Sequence, residues 1–105
     1  MAMTNCDWQW RYDPGRELSA VAGDRVMLTY HFATDQRKPY IHPLCTPAGV
    51  PLTAFQPSDH VWHRGLWFSW KFINDVNYWE ERPGGENDGR TELVGREQVQ
   101  LTPEA

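Results

Sequence analysis

Residues 18–32, LSAVAGDRVMLTYHF, form the stretch that decides the fold. Two strand-like runs, Leu18–Ala22 and Arg25–Phe32, are separated only by Gly23 and Asp24. A two-residue connection that contains glycine is typical of a β-hairpin, because tight hairpin turns need backbone angles that glycine adopts easily. The sequence therefore predicts two neighbouring antiparallel strands here.

The residues on either side of the hairpin predict further strands. Trp8–Tyr12 alternates aromatic with polar residues, and this period of two indicates a half-buried strand. Pro39–Thr46 is predicted to be a short edge strand, because its prolines would interrupt a central ladder of hydrogen bonds. After a turn at Pro47–Gly49, the chain is expected to return as a strand over Val50–Phe55.

The second half of the chain is predicted to continue the same pattern. Leu66–Ile73 alternates a mixed face with a wholly apolar face that belongs in a core. That apolar face consists of Leu66, Phe68, Trp70 and Phe72. Gln56–Gly65 is predicted to be a loop, Arg82–Gly89 a polar turn region and Thr91–Leu101 a final strand.

These segments predict an all-β fold, an antiparallel β-sandwich, in a domain that spans residues 1–105 or is the N-terminal part of a larger one. Short strands in this number barely close a sandwich, and the last strand candidate ends with the sequence. We therefore expect an unfinished sheet edge, through which the chain would associate with itself.

Composition excludes several classes of partner. The 105 residues carry a formal net charge of −4 and no cluster of lysine and arginine, which argues against nucleic acid. No apolar run is longer than Leu66–Phe68, so no helix can span a bilayer. Two cysteines and the absence of a visible secretory signal predict a cytoplasmic protein with free thiols. Six tryptophans suit both a core and a flat ligand.

Candidate catalytic residues lie in the segment from Tyr40 to Glu81, where polar and aromatic residues are densest. Acid–base chemistry on a sugar ring needs an acid and a base on opposite sides of the ring, usually histidine and a carboxylate. The candidates are His42, His60 and His63 for proton transfer and Glu80 as the partner carboxylate. The alternative for the pair Glu80 and Glu81 is a solvated strand end.

Candidate substrate-binding residues occupy the same segment. They are Asp59, Arg64, Trp67 and Asn77. Trp67 would offer a stacking surface, unless it belongs to the core. Arg64 would grip a carboxylate or a pair of hydroxyls, unless it holds the loop by pairing with Asp59.

His60 and His63 are also weak candidates for metal binding, because their spacing can direct two imidazoles at one ion. His42, or a carboxylate from Asp59 or Glu80, would supply the third ligand. The alternative is that one histidine hydrogen-bonds a loop carbonyl while the other is solvated. No nucleotide-binding or serine-elbow motif is present, and the sequence names no cofactor.

A family resemblance rests on four segments in a fixed order: Pro39–Pro43, Thr46–Gly49, Asp59–Trp67 and Asn77–Glu80. Taken together and in this order, the four segments resemble a bacterial family that is described as PmoA-like, or as methane oxygenase PmoA, and otherwise as a domain of unknown function. The resemblance implies a longer parent protein, a role near sugar catabolism and a fold like the galactose mutarotase sandwich. It implies no catalytic residues, and methane oxidation is excluded because that enzyme's subunit spans the membrane repeatedly.

The sequence is consistent with two functions. The chain would act on a sugar or sugar acid by acid–base chemistry between histidine and glutamate. Alternatively, it would be a non-catalytic module that binds a glycan or another subunit through the same aromatic surface. The sequence does not decide whether the protein is an enzyme.

Overall fold

A computed structural model describes residues 8–68, 70–81 and 88–100 of the chain. Within these residues the regular structure is two antiparallel β-sheets. The larger sheet has the order β1-β2-β3-β4, with β1 Trp8–Asp13, β2 Glu17–Ala22, β3 Arg25–His31 and β4 Tyr40–Leu44. The smaller sheet pairs β5 Phe72–Ile73 with β6 Val76–Asn77. The predicted all-β, antiparallel fold class is confirmed.

The predicted hairpin forms the middle of the larger sheet. β2 and β3 pair antiparallel across a turn in which Gly23 has a φ of 63°. The register shifts between Ala20 and Val21, which marks a β-bulge. Between the strands, the buried hydroxyls of Ser19 and Thr29 are hydrogen-bonded at 2.8 Å. The local turn chemistry therefore positions the strands as the sequence predicts.

The apolar core is small and centres on this hairpin. Its buried members are Val21, Ala22, Met27, Phe32, Ala33 and Tyr40. No described side chain of large volume is fully buried, so much apolar surface stays in contact with water. A core of this size gives limited hydrophobic stabilisation, and polar contacts carry more of the structure than usual.

β1 differs from the prediction in its burial. The strand forms, but all six of its residues are exposed, including Trp8, Trp10 and Tyr12. These aromatic side chains share one face of the sheet, and no described segment covers that face of β1 completely. The alternation predicts the strand correctly but not its burial. A period of two shows that the strand has two different faces, but it does not show whether another segment packs on either of them.

The predictions for the second half of the chain are largely wrong. Among the described residues of Leu66–Ile73 only Phe72–Ile73 is strand, and the supposed core face is exposed, with Phe68 at 80%. Val50–Phe55 makes isolated bridges at Pro51 and Phe55 instead of a strand. Residues 91–100 contain no strand, and Leu101 lies outside the described residues. Alternation is insufficient here because a strand also needs a neighbouring backbone to pair with.

Two turn predictions have different outcomes. Residues 47–49 form the expected turn, in which the Gly49 amide donates to the Thr46 carbonyl at 2.8 Å. The polar region Arg82–Gly89 falls mostly on residues 82–87, which lie outside the described part of the chain.

A short backbone pairing covers the outer edge of β4. The Ile41 amide donates to the Leu66 carbonyl at 2.7 Å, and the Leu66 amide donates back to Ile41 at 2.9 Å. The Gly65 amide donates to the Ala54 carbonyl at 2.8 Å. These bonds fix where the chain emerges beside the sheet and thereby place Trp67.

The described residues include no helix that could cross a membrane.

Replacement of Gly65 tests this close approach. Gly65 has a φ of +65°, and a Cβ there would collide with the Ile41 carbonyl and lie 2.9 Å from the Cβ of His42. We expect Gly65→Ala to lower the free energy of unfolding in urea by more than about 2 kcal/mol.

Gly15→Ala is the matched control for the same backbone strain. Gly15 has a φ of +76° with nothing within 4 Å of the added Cβ, so only the strain of about 1 kcal/mol should appear. Equal losses in the two variants would show that the backbone at Gly65 is not in close contact with Ile41.

Candidate functional site

The loop at residues 55–65 is closed by its own backbone. Phe55 and Arg64 form an antiparallel bridge, and the Gln56 amide donates to the His63 carbonyl at 2.6 Å. Inside the loop the His63 amide donates to the His60 carbonyl at 2.9 Å, which turns the chain tightly. This turn brings the two histidines of the loop together.

An aromatic–imidazole cluster forms around that turn, from His60, Trp62, His63, Trp67 and Trp79. The ring centroids of His60 and His63 are 4.9 Å apart, and His63 lies 6.2 Å from Trp67. Trp67 meets Trp79 edge to face at 5.0 Å. The structure therefore brings the predicted residues His60, His63 and Trp67 together, and it adds Trp62 and Trp79.

A buried charge cluster of Lys38, Arg64 and Glu81 lies against these rings. Arg64 donates to both carboxylate oxygens of Glu81, at 2.7 Å from Nε and 2.5 Å from Nη2. Lys38 Nζ lies 3.4 Å from the same carboxylate. The three side chains are only 5–11% exposed. One carboxylate thus partly neutralises two buried positive charges. Removal of that carboxylate would leave these charges uncompensated in the interior, which is strongly destabilising.

Lys38 links the charge cluster to the aromatic–imidazole cluster. Its ammonium lies 3.9 Å from the centroid of the Trp67 ring and donates to the Trp79 carbonyl at 3.0 Å. Burial lowers the pKa of Lys38, although the nearby Glu81 carboxylate opposes that shift. The cation–π contact covers one face of Trp67, so only its other surfaces are available to a ligand.

Arg64 is engaged inside the protein. Besides Glu81, it donates to the Gln36 side-chain oxygen at 2.5 Å, and its guanidinium lies 5.5 Å from the Tyr40 ring. The alternative interpretation, in which Arg64 holds the loop by pairing with Asp59, is wrong about the partner. Arg64 pairs with Glu81 instead. Its role of fastening the loop is nevertheless the one that this geometry favours.

Asp59 instead pairs with the neighbouring His60. The distance from Asp59 Oδ2 to His60 Nδ1 is 3.2 Å, and both side chains are largely exposed. The hydrogen bond from His60 lowers the pKa of the Asp59 carboxyl. Because Nδ1 of His60 faces the carboxylate, the second ring nitrogen, Nε2, points away from Asp59.

Glu80 and Asn77 form a separate unit next to β6. The Asn77 amide donates to Glu80 Oε2 at 2.6 Å, and Lys71 Nζ lies 3.2 Å from Glu80 Oε1. The Asn77 side-chain oxygen accepts from the Trp79 amide at 2.8 Å, as a capping residue does. Burial opposes ionisation of Glu80, but the bonds from Asn77 and Lys71 outweigh it and lower its pKa. Both oxygens of the predicted partner carboxylate therefore have protein partners.

His42 belongs to yet another set of contacts. Its Nδ1 lies 2.7 Å from the Thr53 hydroxyl, and its ring stacks on Phe55 at 5.5 Å. Its carbonyl accepts a hydrogen bond from His31 Nε2 at 2.8 Å. Burial, with a smaller effect of His31, lowers the pKa of His42. The described contacts thus do not unite His42, Glu80 and the two loop histidines in one catalytic group.

No group of three or more histidine, cysteine, aspartate or glutamate side chains within the described ranges is placed to hold a metal ion. His60 and His63 approach each other, and Asp59 pairs with His60. The described contacts bring neither of the other predicted ligands, His42 and Glu80, to this pair. The candidate metal pair therefore gains no support from its surroundings.

An open cleft of about 530 Å³ lies beside Trp67. Its aromatic lining comes from separate segments: Tyr30, Tyr40, Trp67 and Phe68. The remaining lining residues are Pro39, Ile41, Leu66, Thr91, Glu92 and Leu93. Trp67 is thus shared between the aromatic–imidazole cluster and this cleft.

Several residues of the site are not among those that the sequence predicts. The pattern singles out Glu81 only together with Glu80, as part of a solvated end, and does not single out Lys38, although the two side chains are only 11% and 5% exposed. Tyr30 and Glu92 line the cleft from outside the segment Tyr40–Glu81, which the sequence predicts to carry the chemistry. No local spacing signals such contacts, because they join segments far apart along the chain.

Comparison with known proteins identifies one family. The model of a family of unknown function, DUF6807, matches residues 17–105. No curated protein and no solved structure matches the chain. The resemblance to a PmoA-like family is therefore corrected, since the family match supports no such assignment, and the expectations that rested on that resemblance lose their basis.

Removal of one carboxylate tests the buried charge cluster. We expect Glu81→Gln to lower the free energy of unfolding by about 3 kcal/mol, because it leaves two buried cations without an anion. Glu80→Gln is the matched control, since Glu80 pairs with the half-exposed Lys71 and should cost less than about 1 kcal/mol. Urea unfolding measures both variants, and similar losses would contradict the assigned difference.

The lowered pKa of His42 predicts a pH dependence of stability. The folded protein favours the neutral ring, so the unfolded chain binds the proton more readily below the ordinary pKa of 6.5. Stability should therefore fall as the pH drops from about 7 to about 5, and His42→Gln should reduce that fall.

His60→Gln serves as the control, because His60 is about half exposed and has no described contact with His42. It should retain the decline of the parent protein over the same pH range. A decline that is identical in His42→Gln and the parent would refute the assignment to His42.

Proposed function

We propose that this chain, which belongs to the DUF6807 family of unknown function, binds a sugar-sized polar ligand in the cleft beside Trp67. The observation that carries the proposal is the convergence of Tyr30, Trp67 and Phe68 on one open cleft of about 530 Å³. Small-molecule sites have volumes of roughly 300–1,000 Å³ and combine apolar walls with a few placed polar groups.

The lining favours a ligand with both flat apolar faces and hydroxyl groups. Aromatic rings offer apolar faces on which the C–H face of a pyranose can stack, and tyrosine also carries a hydroxyl. A wholly apolar ligand would use the rings but would cover the Glu92 side chain, which is 47% exposed, without replacing its contacts with water. A sugar satisfies both kinds of surface.

Glu92 supplies the charged polar group of the cleft. Arg90 Nε donates to Glu92 Oε1 at 3.1 Å, and Arg90 Nη2 is itself held by the Thr34 carbonyl at 2.5 Å. The Thr91 amide donates to the Arg37 carbonyl at 2.9 Å, which ties this segment to the sheet. With Oε1 oriented by Arg90, Oε2 is the oxygen that would accept a ligand hydroxyl.

Acid–base catalysis is the second candidate function, and the pairing of Asp59 with His60 favours it. An aspartate bonded to Nδ1 orients an imidazole whose Nε2 can exchange protons with a substrate. His63 lies next to this pair and contacts Trp67, so a ligand beside Trp67 would be near it. We rank it second because Glu80 and His42, the other predicted proton carriers, are engaged elsewhere.

Loss of the shared indole tests the proposal. Titrations of D-glucose, D-galactose and D-glucuronate, followed by calorimetry, should show saturable binding of at least one sugar. Trp67→Leu should weaken that binding at least about 10-fold, because it removes the aromatic face on which the sugar stacks.

Trp10→Leu is the matched control, since Trp10 is exposed on β1 and does not line the cleft. It should bind the sugar as the parent does. His60→Ala separates the two functions: intact binding together with lost turnover would indicate an enzyme. The proposed site would be contradicted if none of the sugars bound the parent, or if both tryptophan variants lost affinity equally.

A further inference from the structure

The two edges of the larger sheet differ. The edge at β4 is covered by the paired backbones of Ile41 and Leu66. β1 pairs with β2 on its inner side, and no described backbone hydrogen bond reaches its outer side. Within the described part of the chain, the outward-pointing amides and carbonyls of alternate β1 residues therefore have no backbone partner, and they can accept another strand.

The side chains of β1 protect this edge only in part. Natural sheets block free edges with charged side chains, especially lysine, with proline or with very short strands; β1 has six residues and no lysine or proline, and its charged side chains are Arg11 and Asp13. Trp8, Trp10 and Tyr12 alternate with Gln9 and Arg11, so three exposed aromatic residues line one face of the edge. Such an edge gains hydrophobic burial as well as hydrogen bonds when a second strand joins it.

We propose that β1 pairs antiparallel with β1 of a second copy of this chain, about a two-fold axis that passes through Trp10. The pairing joins two four-stranded sheets into a continuous eight-stranded sheet. The partner is a second copy because the edge is complementary to itself, and the proposal is independent of the sugar-binding proposal.

The alternation of side chains restricts the register. In a continuous antiparallel sheet, residues directly opposite each other point to the same face, so the axis must pass through a residue and not between two. Near the middle of β1, the axis can therefore pass through Trp10 or Arg11. These registers place different side chains opposite each other.

Charge and aromatic pairing favour the axis at Trp10. There Trp10 faces its own copy, Trp8 faces Tyr12 of the partner subunit, and Gln9 faces Arg11 of the partner subunit. Aromatic cross-strand pairs each contribute roughly 0.2–1 kcal/mol, so this row reinforces the backbone bonds. An axis at Arg11 would instead oppose two guanidinium groups, and like charges directly opposite each other are destabilising.

Oxidative cross-linking tests the register in the full chain. In a Cys6→Ser, Cys45→Ser background, Trp10→Cys should form a disulfide-linked dimer readily, because residues opposite each other on the axis have Cβ atoms about 4.5–5.5 Å apart. Arg11→Cys is the matched control and should cross-link much more slowly. Faster cross-linking of Arg11→Cys, or no cross-linking of either variant, would overturn the proposal.

Light scattering tests the association itself. The parent chain should be dimeric at about 100 µM, a concentration at which weak homodimers form. Trp10→Lys should be monomeric with its fold retained, since it places two ammonium groups opposite each other, and Val50→Lys, at another exposed apolar position, should stay dimeric. A monomeric parent, or a dimeric Trp10→Lys variant, would overturn the proposal.

Discussion

The carboxylate of Glu81 is the point on which the arrangement of the loops depends. It accepts two hydrogen bonds from Arg64 and faces the ammonium of Lys38, and all three groups are nearly inaccessible to water. These residues come from the segment before β4, from the closed loop and from the chain after β6. Because the apolar core is small, this ion cluster holds together segments that hydrophobic packing alone would leave loosely attached.

The ion cluster also decides which residues can meet a ligand. Arg64 and Lys38 carry the charges that most resemble anchors for an anion, yet both are committed to Glu81. What remains exposed is aromatic: Trp67, held on one face by Lys38, together with Tyr30 and Phe68 around the cleft. A surface of this kind, carried by loops on a sheet, suits binding through stacking more than catalysis by a charged group.

Sequence reasoning succeeded where structure is decided locally. The β2–β3 hairpin follows from the turn at Gly23, and the alternation before it gives β1 with nearly correct ends. It failed for Leu66–Ile73, where alternation predicts a buried strand but the side chains of the supposed core face are exposed. The loop histidines and Trp67 were identified by residue type and density. Glu81 could not be, because its partners Arg64 and Lys38 are adjacent only after folding.

A double-mutant cycle between Lys38 and Glu81 tests the central claim most directly. The free energies of unfolding of Lys38→Met, Glu81→Gln and the double variant, each compared with the parent, give the coupling between the two charges. Our account predicts a coupling of at least about 2 kcal/mol, with the double variant less destabilised than the sum of the single variants. Effects that add within about 0.5 kcal/mol would show that the ion cluster does not hold these segments together.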